Sequence, residues 1–100
     1  MLREILKTLS GVIIPFRGTG YGTTAQQVKT DNGEWINYSC AAVKIQNLST
    51  SVSLLYSFDG TNFSEVKPLG TDLNETEFDR IYVKSASSTV NFQGQLIKRQ

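Results

Sequence analysis

Apolar and polar residues alternate along two runs near the middle of the chain. Val43 and Ile45 alternate with Lys44 and Gln46, the period of two that marks a half-buried strand. After a Ser/Thr-rich turn, Val52, Leu54, Tyr56 and Phe58 repeat the pattern. Asp59 and Gly60 follow. Such a pair predicts a hairpin with a two-residue loop, because a tight primed turn needs positive φ and Gly takes it without steric cost. A loop of that length pairs Phe58 with Thr61 and sets Tyr56 opposite Phe63. Val66 falls off that parity, so a bulge or the end of pairing is expected there.

Two more runs alternate cleanly. Ile81 and Val83 are predicted to point inward, with Arg80, Tyr82 and Lys84 outward. Val90, Phe92, Gly94 and Leu96 alternate with Asn91, Gln93 and Gln95 in the last strand. A short strand is expected within 26–30, a turn at Asp31-Asn32-Gly33, and entry of Trp35, Ile36 and Tyr38 into the core or an interface. Residues 71–79 read as an acidic connection. Short strands separated by turns are the mark of an all-β chain. The expected fold is a small antiparallel β-sandwich, jelly-roll or immunoglobulin-like.

The first residues follow another rule. Leu2, Ile5, Leu6 and Leu9 stand at i, i+3, i+4 and i+7, one face of a short amphipathic helix. About two turns of helix are not stable alone, so the segment needs a surface to lie on. An extended arm over residues 1–14 is the alternative. Val12, Ile13 and Ile14 suit an extended segment, which Pro15 restricts to an edge or an end. Residues 17–25 are rich in glycine and read as a loop. Their spacing matches neither the P-loop nor the dinucleotide fingerprint. The chain thus divides into an N-terminal arm with a glycine-rich loop (1–25) and a β-sandwich domain (26–100).

Composition narrows the chemistry. A chain of 100 residues is one domain. Its 39% hydrophobic and 19% charged content is that of a globular protein. A net charge of +1 supplies no field toward nucleic acid or anionic lipid, so neither is an expected partner. Residues 1–16 are interrupted by Arg3, Glu4 and Lys7 and are too short to span a bilayer. They also make a poor signal peptide, which points to synthesis and assembly in a cytoplasm. Asn37, Asn47, Asn62 and Asn74 each begin an Asn-x-Ser/Thr triplet; in a Ser/Thr-rich chain these read as turn chemistry.

Histidine is absent and Cys40 is the single cysteine. That excludes an internal disulfide, a Ser–His nucleophile and the zinc sites built on His or on Cys clusters. Cys40 is expected to be a small buried residue at a strand start. The acids from Asp72 to Asp79 lack the EF-hand Gly and terminal Glu. No set of nucleophile, base and orienter can be named. The expectation is a protein that is not an enzyme and holds no cofactor and no metal.

The run from Ala42 to Ser49, the segment from Tyr56 to Ser64 and the run from Arg80 to Ser85 resemble small β-sandwich virion structural proteins of tailed bacteriophages. The resemblance covers residues 40–97. It implies a structural role as a capsid decoration or cement protein, or as a head–tail or tail adaptor. It also implies location in the virion after assembly in the host cytoplasm, and other capsid, neck or tail subunits as partners.

The apolar segment and glycine-rich connection ahead of the sandwich favour a homo-oligomer, because exposed strand edges and apolar segments are normally protected by a partner. Expected docking contacts are Leu2, Ile5, Leu6, Leu9, Ile13, Ile14, Phe16 and Arg17. The alternative is a carbohydrate-binding module. Its candidate platforms are Trp35, Tyr38 and Tyr82, since sugar sites use exposed aromatic faces flanked by polar groups.

Overall fold

The structure is a computed structural model, and it describes residues 11–99. Eight strands follow one another: β1 (Gly11–Tyr21), β2 (Gln26–Gln27), β3 (Cys40–Asn47), β4 (Leu54–Ser57), β5 (Ser64–Val66), β6 (Thr71–Asn74), β7 (Tyr82–Ser85) and β8 (Val90–Arg99). They form two four-stranded antiparallel sheets, ordered β1-β8-β3-β6 and β2-β7-β4-β5. The expected sandwich is present, and its strand order is that of an eight-stranded jelly roll built from two Greek keys. Every connection except β4–β5 carries the chain from one sheet to the other.

The core lies between the sheets. Phe16, Val43, Ile45, Phe92 and Leu96 come from the first sheet, and Leu54, Tyr56, Val66 and Val83 from the second. The period-two reading of β3, β7 and β8 is borne out: Val43, Ile45, Ile81, Val83, Val90, Phe92 and Leu96 are all buried. Asn47 closes the β3 end. Its Nδ2 donates to the carbonyls of Val52 (2.8 Å) and Val66 (3.0 Å), and its Oδ1 accepts from the Ser49 amide (2.9 Å). The Asn74 Oδ1 likewise accepts from the Thr76 amide (3.0 Å). Both are the turn chemistry expected of their triplets.

Three expectations are corrected. The glycine-rich run is not a loop up to Tyr21: β1 pairs with β8 from Gly11 opposite Arg99 to Tyr21 opposite Val90. Glycine serves close packing there, since a Cβ on Gly18 would stand 2.7 Å from the Tyr21 ring. Residues 11–21 are therefore a strand of the sandwich rather than an arm. The helix expected over 2–9 lies outside the described residues.

The central hairpin is also wider than expected. Tyr56 faces Ser64 and Leu54 faces Val66, not the Tyr56–Phe63 pairing. The Asp59 carboxylate accepts from the amides of Thr61 and Asn62 (2.8 Å each), and the Ser57 hydroxyl accepts from the Gly60 amide (2.8 Å). Side chains close the loop, which frees it from the two-residue turn. Gly60 keeps the positive φ of 78°.

The acidic connection begins as a strand, β6, which pairs with β3. Asp72 and Asn74 both meet the Tyr56 hydroxyl, and so tie the two sheets together. Of the residues expected in the core or an interface, Ile36 is fully buried, while Trp35 is 49% exposed and so is not part of the core.

Candidate functional site

The expected docking residues within the described part of the chain lie on β1, at the edge of the first sheet. Val12 and Ile13 are among the few exposed large apolar residues. Ile14 is half-buried against the core. Phe16 is 1% exposed and belongs to the core, which corrects its assignment as a docking contact. Arg17 is exposed and pairs with Asp31, Nε to Oδ1 at 3.5 Å. Leu2, Ile5, Leu6 and Leu9 lie outside the described residues.

The free edge of β1 is covered at its middle. Phe16 bridges Thr30, and the Asp31 amide donates to the Pro15 carbonyl (3.1 Å). Among the described residues, no strand pairs with the outer edge of Gly11–Ile14. An uncovered edge is a template for pairing with another chain.

The outward face of this sheet changes character along its length. Around Arg17, Lys44, Gln46, Gln93 and Gln95 it is polar and forms a shallow hollow of about 310 Å³. There Gln93 donates to Gln46 at 3.1 Å. Toward Gly11 it turns apolar. Ile97, Ala41 and Ala42 form a second buried cluster with Leu73, apart from the main core. Ile13 stands opposite Ile97 in register.

The three proposed sugar platforms are not brought together. Trp35 sits on a small hairpin, where the Lys29 ammonium stands 4.5 Å from its ring centroid. Tyr38 lies beneath Lys98, also at 4.5 Å. Tyr82 is on the outer side of the second sheet near Gly60.

A cleft of about 700 Å³ opens beside Trp35 and takes in Tyr21, Gln26, Gln27 and Asp31, but neither Tyr38 nor Tyr82. Sequence reasoning missed Tyr21 and the two glutamines, because only the β1–β2 crossover brings them to Trp35. An aromatic within the glycine-rich run was the available signal.

Cys40 is fully buried, as expected. Its Sγ donates to the Tyr38 carbonyl at 3.3 Å. Burial, and then the Asp79 carboxylate, pushes its thiol up to about 12, which makes it a poor nucleophile. No group of three or more His, Cys, Asp or Glu gathers among the described residues. No family model matches the sequence, and neither a curated protein nor a solved structure shows significant similarity to the chain.

Proposed function

We propose that this protein is a non-enzymatic structural subunit of a virion, of the tailed-bacteriophage kind. It decorates or joins capsid, neck or tail subunits as part of a homo-oligomer. The docking element is the Gly11 end of β1 together with the residues that precede it.

The observation that carries this reading is the edge itself. Gly11–Ile14 pairs with β8 on one side, has no partner strand on its outer edge among the described residues, and presents Val12 and Ile13 to solvent. Jelly rolls recur in capsid proteins and in lectins, so the fold class suits the reading by analogy without selecting it.

Native mass across a concentration series tests it. The full chain is expected to form a closed oligomer, and Val12→Glu with Ile13→Glu is expected to yield a folded monomer. A chain that is monomeric at every concentration, and unchanged by the double substitution, would remove this edge as the docking element.

A further inference from the structure

We propose that the cleft beside Trp35 binds a neutral pyranose sugar, which stacks on the indole and is held by the amide and carboxylate groups around it. Of β1 it takes in Arg17 and Tyr21 but none of Gly11–Ile14, the proposed assembly edge.

Three observations support it. The first is the platform. A half-exposed tryptophan at the wall of a cleft of about 700 Å³ is both apolar and accessible, and that volume falls in the range of small-molecule sites. The C–H face of a pyranose matches an aromatic face, while its hydroxyls need polar partners at the ring edge.

The second is the set of partners. Gln26 and Gln27 each offer two donors and an acceptor, and Asp31 offers acceptors alone. This complements hydroxyl groups, which both donate and accept. The two cations of the cleft each have a partner, Arg17 in Asp31 at 3.5 Å and Lys29 over one face of the indole at 4.5 Å, so the sugar stacks on the face that Lys29 leaves. Both cations are thus partnered within the cleft, with the Asp31 carboxylate beside them, which favours a neutral ligand over an anionic one.

The third is preorganisation. The Thr30 amide donates to the Glu34 carbonyl (2.8 Å), and the Gly33 amide donates to the Thr30 carbonyl (2.9 Å). Gly33 takes the positive φ of 80° that this turn requires. Lys29 bridges Trp35, and Thr30 bridges Phe16 on β1. Across the cleft, the Tyr21 ring packs edge-on against Phe92 with centroids 4.9 Å apart. A wall fixed before binding lowers the ordering cost of association.

Trp35 is the one tryptophan of the chain, so fluorescence reports this cleft alone. The full-length protein is titrated with maltose, cellobiose, lactose and chitobiose, and read by tryptophan emission and by amide chemical shifts. At least one sugar is expected to bind with Kd on the order of 1 mM, moving the amides of Gln26, Gln27 and Lys29. Trp35→Ala is expected to weaken that binding at least tenfold, Trp35→Phe less, and Asp31→Asn several-fold.

Silence from all four sugars at about ten times that concentration overturns the proposal. So does binding that survives in Trp35→Ala. A fall in native mass on Trp35→Ala or Trp35→Phe also overturns it, by assigning the indole to a protein interface.

Discussion

The Phe16 ring lies across Gly94 on the neighbouring strand, in the space that a side chain at 94 would occupy. The two are paired in register, and a Cβ on Gly94 would stand 2.6 Å from the Phe16 Cζ and closer still to the Lys44 carbonyl oxygen. An aromatic laid over a strand glycine restores the packing that the glycine lacks.

Gly94→Ala is accordingly expected to destabilise the fold by about 1–3 kcal/mol through overpacking. Phe16→Ala is expected to cost about 3–5 kcal/mol through the cavity it leaves. Urea denaturation measures both. Removal of residues 1–16 would take this ring with it, so that truncation does not separate docking from folding.

Tyr56 joins the sheets through its hydroxyl, which donates to the Asp72 carboxylate and accepts from Asn74 Nδ2 at 3.2 Å. Burial, and then the bond to Asp72, pushes its ionisation up from 10.0 to about 12. The unfolded chain therefore loses this proton first. Stability from this group is complete below about pH 10 and is lost between about pH 10 and pH 12. Tyr56→Phe is expected to lower stability at neutral pH by about 1–3 kcal/mol, because Asp72 loses its donor. It is also expected to flatten the alkaline decline. Thermal melts across that range check both, with Tyr21 and Tyr38, raised by burial as well, accounting for what remains.

Cys40 is expected to resist thiol reagents in the folded protein. Its Sγ is buried and its ionisation lies near 12, so the thiolate is scarce across about pH 7–9. Labelling by a disulfide reagent should proceed at the rate of unfolding and become fast in denaturant. Rapid labelling of the native protein would mean that the sandwich opens locally at the start of β3.

Much of the fold was legible because local patterning and tertiary burial agree. From Val43 along β3, through β7 and up to Leu96 in β8, the alternation of side chains follows that of core and outer face, so a period of two suffices. Turn chemistry was legible for the same reason: the Asn47 and Asn74 side chains bond to amides two residues away. The candidate site was less legible. Arg17 and Trp35 stood out as residue types, but their partners Asp31, Gln26 and Gln27 are ordinary in sequence and become a site only in the cleft.

Residue type and chain neighbours were enough to set the β class, the inward residues of the regular strands and the exclusion of histidine-based chemistry. Three features were decided by the tertiary structure alone. The glycine-rich run became strand because Phe92 and Tyr21 close over Gly18. The hairpin register moved by one residue because Ser57 and Asp59 close a wider loop. Phe16 entered the core because Gly94, far along the chain, leaves room for its ring. In each case the deciding contact depends on how strands pair or how a loop closes, and the spacing of hydrophobic residues along one strand carries no record of it.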